Sequence, residues 1–215
     1  INIKNMDIHI CKFGGSSIQY IEKIDDILKN KLLKYSRVLV IVSAFGDTTD
    51  NLLKNIEEVY KFHNNLCIKL FGKVLKEVIE LIDNIKLLSK VIKTFTIIPN
   101  QIKDRILSYG ELLSSVILYN YFKKIYKDGV CRMKSENIIV KDIADNINYE
   151  ETTKRLDDFF SMIDKRLIIC PGYICSDKYG NISTLGRGGS DYTASIIGSI
   201  MNAESVELWT DVDGI

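Results

Sequence analysis

Val38-Leu39-Val40-Ile41-Val42 is an unbroken apolar run, mostly β-branched, closed by the polar stretch Ser43-Ala44-Phe45-Gly46-Asp47-Thr48-Thr49. A strand with one wet face would alternate in polarity. A run that is apolar at every position must be covered on both faces, as in a parallel sheet between helical layers. Ile8 to Phe13 is a short apolar run ending in Gly14-Gly15-Ser16-Ser17, which reads as strand then loop, and Leu167 to Cys170 is another buried strand entering Pro171-Gly172. Between the first two runs, Ile18, Ile21, Ile24, Ile27 and Leu28 recur at helical spacing. Strands alternating with helices predict an α/β domain built on a largely parallel sheet.

The rest of the chain fills in that frame. Asn51 to Ile98 has little glycine and repeated Leu and Ile at helical spacing, which predicts two or three helices closed by Pro99. Ser108-Tyr109-Gly110-Glu111 leads into a helix running to about Ile125, and Ser108-x-x-Glu111 fits a capping box. Gly129 to Met133 and Asn137 to Val140 are candidate strands, and Tyr149 to Lys165 is a candidate helix. Tyr173 to Cys175 and Asn181 to Thr184 flank a hairpin turn at Asp177-Lys178-Tyr179-Gly180. A helix over Tyr192 to Met201 and a strand over Val206 to Thr210 complete the pattern. Ligands of open parallel sheets bind beyond the carboxyl ends of the strands. Loops 14–17, 43–49, 186–191 and 210–214 all follow predicted strands and are expected to gather on one edge.

Composition removes several classes of function. The 215 residues carry 29 Lys and Arg against 28 Asp and Glu, a net charge of +1. That balance supplies no basic face for nucleic acid. No apolar run reaches the length of a membrane span, and no secretory leader is visible at the start. The five cysteines are scattered without a C-x-x-C pair, and only two histidines are present, so neither a disulfide framework nor a zinc site is expected. A reducing cytosol fits this cysteine usage.

Leu185-Gly186-Arg187-Gly188-Gly189-Ser190-Asp191 concentrates backbone donors, a cation, a hydroxyl and a carboxylate in one turn directly before a helix. Glycines let N–H groups converge on an anion, and the helix start adds positive potential. Arg187 can fork two hydrogen bonds onto a carboxylate or phosphate. Lys12, one residue before Phe13 and Gly14-Gly15, can lie along its loop and reach a bound phosphate. Neither the P-loop pattern nor G-x-G-x-x-G occurs, which excludes those two nucleotide-binding frames.

Lys12-Phe13-Gly14-Gly15-Ser16-Ser17, Val42-Ser43-Ala44, Gly110-Glu111-Leu112, Gly186-Arg187-Gly188-Gly189-Ser190-Asp191 and Trp209-Thr210-Asp211-Val212-Asp213-Gly214 occur in that order. With them the chain resembles aspartokinases, members of the amino-acid kinase superfamily, from Asp7 to Ile215. The resemblance implies a three-layer α/β/α sandwich around a largely parallel sheet. It also implies an aspartate-binding lobe over about 1–184 and the start of an ATP-binding lobe over about 185–215. Relatives continue into an Asp-Pro-Arg segment and regulatory ACT domains, so the C-terminal lobe is expected to be incomplete here.

The implied reaction is phosphoryl transfer from ATP, with Mg²⁺, to the β-carboxylate of L-aspartate, in a cytoplasmic protein that is a homo-oligomer at full length. The implied catalytic pair is Lys12 and Asp191. Substrate contacts fall to Ser43, Thr49, Glu111, Arg187 and Ser190, with Arg187 on the α-carboxylate and Glu111 on the α-ammonium. Nucleotide contacts fall to Lys12, Gly14, Gly15, Ser16, Gly188, Gly189, Thr210 and Asp211, and no dedicated metal ligand is assigned. Trp209 reads as a sheet residue rather than a base-stacking platform. Two other readings stay open: a different amino-acid kinase such as glutamate 5-kinase, and a catalytically silent regulatory or oligomerisation subunit.

Overall fold

A computed structural model describes residues 7–210. Five parallel strands form one sheet: β1 (Ile8–Phe13), β2 (Arg37–Val42), β3 (Val130–Arg132), β4 (Leu167–Pro171) and, as the last strand of the chain, β7 (Ser205–Trp209). Their spatial order is β3-β4-β2-β1-β7. The all-apolar run 38–42 that suggested a two-sided strand is buried throughout at the centre of this sheet. Two further strands, β5 (Ile174–Ser176) and β6 (Ile182–Thr184), pair antiparallel as the predicted hairpin.

The pleat sends alternate side chains into two separate cores. Cys11, Phe13, Val38, Val40, Val42 and Ile169 pack against α1 (Ile21–Lys34), α2 (Thr48–Lys54), α3 (Ile56–Phe71), α4 (Lys76–Ile92) and α5 (Asn100–Tyr126). Ile8, Ile10, Leu39, Ile41 and Ile168 pack against α6 (Tyr149–Met162) and α7 (Gly189–Met201). The result is the expected three-layer α/β/α sandwich. The edge strand β7 is fastened to α1 by Glu207, which pairs with Lys31, lies 3.2 Å from His9 Nε2 and accepts from Trp209 Nε1 at 3.1 Å. Trp209 stacks on Phe13 within the sheet layer, as its sequence position suggested.

Two local expectations are corrected. Residues 137–140 form no strand; they hold a short 3-10 turn and one isolated bridge between Val140 and Ser176. The segment is apolar because Ile138, Ile139 and Val140 are buried, not because they extend. The helix expected to follow Ser108 also begins earlier, so the capping-box alternative for Ser108 and Glu111 does not arise. Helix α5 begins at Asn100, just after Pro99, and Ser108 lies inside it with its hydroxyl donating to the Arg105 carbonyl at 2.7 Å. Pro99 punctuates the start of this 27-residue helix rather than only the end of the preceding ones.

Two glycines allow the close approaches that shape the carboxyl edge of the sheet. A Cβ on Gly110 would lie 2.7 Å from Ala44 Cβ, so α5 can press against the loop after β2 only with glycine there. A Cβ on Gly172 would lie 2.6 Å from Ser190 Cβ and 2.8 Å from Ser190 Cα, so the start of α7 seats directly on the end of β4. Gly172→Ala must therefore displace helix backbone, and an overpacking cost of about 1–3 kcal/mol is expected in urea unfolding. Gly129→Ala, whose Cβ meets nothing nearer than Tyr126 Cβ at 3.9 Å, serves as the control and should change stability much less.

Candidate active site

The loops after β1, β2 and β4 and the end of β7 meet at the carboxyl edge because these four strands are parallel and adjacent. Backbone hydrogen bonds stitch them together: Gly14 N–H donates to Trp209 at 3.0 Å, Ser43 N–H to Phe13 at 3.2 Å, Gly46 N–H to Gly15 at 3.0 Å and Gly172 N–H to Val42 at 2.9 Å. Between them and the start of α7 opens a cavity of about 360 Å³. Lys12, Ser43, Thr49, Glu111, Tyr173, Arg187 and Ser190 line it, with Gly186, Gly188, Gly189 and Asp191.

Lys12 leaves β1 on the α7 side, and its Nζ lies 2.6 Å from Asp191 Oδ1. The lysine side chain is only 12% exposed, so the carboxylate compensates a largely desolvated cation. Gly188 (φ +72°) caps α7 in the left-handed region that glycine tolerates. The Gly189 amide is spent on the Gly186 carbonyl at 3.0 Å, which leaves the Ser190 and Asp191 amides as the first-turn donors beside the cavity. Arg187 is exposed on the rim, and among the described residues it makes no salt bridge.

Glu111 reaches the opposite wall from α5. It is 5% exposed, and its Oε2 has no hydrogen-bond partner among the described residues. Burial pushes its pKa up to about 8; the amides of Ala44 and Glu111 itself and the charge of Lys12 oppose the shift without cancelling it. A buried acceptor without a donor suits a cation that arrives from solution. The cavity thus offers an anion-selecting guanidinium, a cation-selecting carboxylate and a lysine between loops, the electrostatics of a zwitterion beside a further anion.

Residues 7–215 match the amino acid kinase family. This chain belongs to that family. Among curated relatives, the bifunctional aspartokinase/homoserine dehydrogenase 2 of Arabidopsis thaliana is 28% identical over 229 residues, covering 95% of this chain and 25% of that protein. The lysine-sensitive aspartokinase 3 of Escherichia coli is 26% identical over 228 residues, covering 97% of this chain and 50% of that one. The solved structure of E. coli aspartokinase III with aspartate and ADP matches with a TM-score of 0.85 at 24% identity, again over 97% of this chain and 50% of that one. The fold is therefore the amino-acid kinase fold, and the chain spans half or less of the length of these relatives. Some of them are chloroplastic, and among the described residues no helix is long and apolar enough to cross a membrane.

Within this family frame the residues singled out from the sequence fall into three groups. Lys12, Ser43, Thr49, Glu111, Arg187, Gly188, Gly189, Ser190 and Asp191 line one cavity. Gly14, Gly15 and Ser16 lie in the adjoining loop, and Thr210 lies on the far side of it beside Phe13 and Ser17. Asp211 falls outside the described residues. The Gly14 amide, expected to donate to phosphate, already donates to Trp209. Gly15 contributes by shape, since a Cβ there would lie 2.6 Å from the Ala44 carbonyl oxygen. Tyr173 was missed, because the sequence placed it in the hairpin strand. It sits instead at φ +67° between β4 and β5, its N–H donating to Thr193 Oγ1 at 3.0 Å. The turn signal Pro171-Gly172 just before it was the available clue.

The raised pKa of Glu111 makes stability depend on pH. The folded state holds the proton that an unfolded glutamate releases near 4.5, so this contribution is complete below that pH and is lost as pH rises through about 8. Between those limits the slope reaches at most about 1.4 kcal/mol per pH unit. Thermal melts of the ligand-free protein from pH 5 to 9 should show stability falling relative to Glu111→Gln. Parallel curves for the two proteins would show that Glu111 is ionised across that range.

Proposed function

We propose that this chain is the catalytic region of an aspartate kinase, which transfers the γ-phosphoryl group of ATP to the β-carboxylate of L-aspartate. The product is 4-phospho-L-aspartate, the entry to lysine, threonine and methionine synthesis. The observation that carries this reading is the placement of Glu111 and Arg187 on one cavity with Lys12. An α-amino acid presents an ammonium and a carboxylate to those two groups and leaves its side-chain carboxylate free to face Lys12. The aspartokinases among the relatives, one of them solved with aspartate and ADP, support the same substrate pair.

The chemistry demands little beyond positioning and charge. A β-carboxylate with an ordinary pKa near ~3.9 is already ionised at neutral pH, so no general base is required. The obstacle is the approach of two anions, and catalysis lies in preorganised cations and N–H donors. Lys12, held by Asp191, spreads positive charge over the transferring group. The polyphosphate is assigned to the first turn of α7 and the adjoining loop 14–17. Mg²⁺, when bound, would supply charge neutralisation for the polyphosphate there. Of the carboxylates on the cavity, Asp191 is committed to Lys12 and Glu111 is buried, so the ion fits best with water and phosphate ligands. Arg187 fixes the α-carboxylate, Glu111 the α-ammonium, and Ser43, Thr49 and Ser190 complete the polar wall.

The test uses the full-length protein with ATP, Mg²⁺ and L-aspartate in a coupled assay for ADP. Turnover of glutamate with none of aspartate would overturn the substrate assignment. Arg187→Ala removes a charged two-pronged contact and should raise KM for aspartate roughly 10- to 100-fold. Lys12→Ala should instead lower kcat by about 10²–10³, the cost of losing an oriented donor to developing charge. Identical kinetic profiles for the two variants would refute this division of roles.

A further inference from the structure

Arg187 sits between Gly186 (φ +75°) and Gly188 (φ +72°), in a turn whose own backbone has little stiffness. Something outside the turn must therefore fix where its guanidinium hangs relative to Glu111. On the α7 side the Gly189 amide donates to Gly186 at 3.0 Å. On the hairpin side the anchor is Thr184, three residues before Arg187, and every polar group of Thr184 is held by a distant side chain. Its hydroxyl donates to Asp104 Oδ1 at 3.1 Å and its N–H to Asp104 Oδ2 at 3.3 Å. Its carbonyl accepts from Lys141 Nζ at 2.7 Å. The neighbouring Ser183 hydroxyl also donates to Asp104 Oδ2, at 3.1 Å.

Asp104 belongs to α5, the helix that carries Glu111. The two are seven residues apart, which places them on one face separated by roughly 10 Å along the axis. One rigid helix therefore holds one wall of the cavity directly and the root of the other through β6. We infer that Asp104 is a positioning residue: by clamping Thr184 it sets the distance between Arg187 and Glu111, and so how well the site grips the α-ammonium and α-carboxylate of its amino acid. This rests on the aspartate reading above for the identity of the ligand, but the clamp itself does not. Leu185 N–H, bonded to the Tyr173 carbonyl at 2.8 Å, passes the constraint on to the tyrosine wall of the cavity.

The test is Asp104→Ala in the full-length protein. KM for aspartate should rise about tenfold while kcat and KM for ATP stay within twofold, because only the substrate fork is loosened. In an Arg187→Ala background the same change should raise KM by less than twofold, since the group it positions is gone. An unchanged KM for aspartate, a parallel loss in kcat and KM for ATP, or full additivity with Arg187→Ala would each overturn the inference. If Asp104→Ala does not fold, Thr184→Val and Ser183→Ala delete single clamp bonds and should each raise KM for aspartate by a few-fold; no change in either would also overturn it. A second readout needs no turnover: amide hydrogen exchange over residues 183–188 should quicken in Asp104→Ala, with the central strands unaffected. If the wild-type protein does not phosphorylate aspartate, the proposed function falls, and unaltered exchange over 183–188 would separately refute the clamp.

Discussion

A lysine at the end of an interior parallel strand is mostly removed from water, and its charge must be answered locally. Asp191 answers it at 2.6 Å from the first turn of α7, and much of the site follows from that contact. To bring Asp191 there, α7 must begin against the end of β4, which Gly172 permits. Once it begins there, the turn before it, with Arg187, is delivered to the rim of the cavity that Ser190 and Asp191 line. The pair also leaves Lys12 oriented rather than merely charged. An oriented cation needs no reorganisation when negative charge develops, which is why such groups contribute more in a dry site than in solution.

Helix α5 supplies the second constraint. Its glycine at 110 allows contact with the loop after β2, and the neighbouring Glu111 is buried by that same contact. Burial without a donor on Oε2 raises the free energy of the ionised form, so the carboxyl waits in a state that an incoming ammonium relieves. Asp104, on the same face, holds the hairpin strand that ends three residues before Arg187. Two opposite walls of the cavity thus depend on one rigid element.

Much of this was legible in the residues. The runs 38–42 and 167–171 are apolar at every position, the pattern of a short strand covered on both faces, and 8–13 is apolar apart from His9 and Lys12. Loops that follow parallel strands share an edge by topology, so the convergence of Lys12 and Ser43 was predictable; the 186–191 turn follows the antiparallel hairpin strand β6 and reaches the same edge because α7 begins against the end of β4. The errors lie where local pattern is ambiguous. Asn137 to Val140 reads as strand because buried apolar residues look alike in a strand and in a packed turn. Ser108-x-x-Glu111 satisfies a capping rule, but α5 continues through it because Ile106, Tyr109 and Leu113 are buried on the packed side of one continuous helix.

The sequence by itself determined the parallel sheet, the two-sided core and the identity of the polar groups on its carboxyl edge, since these follow from periodicity and residue chemistry. Only the tertiary structure decided that the Gly14 amide is spent on Trp209, that Tyr173 turns into the cavity wall, that Glu111 is desolvated and that Asp104 clamps Thr184. Each of these is a relation between groups far apart in the chain. Desolvation and hydrogen bonding depend on what packs against a group, and no local window of sequence contains that neighbour.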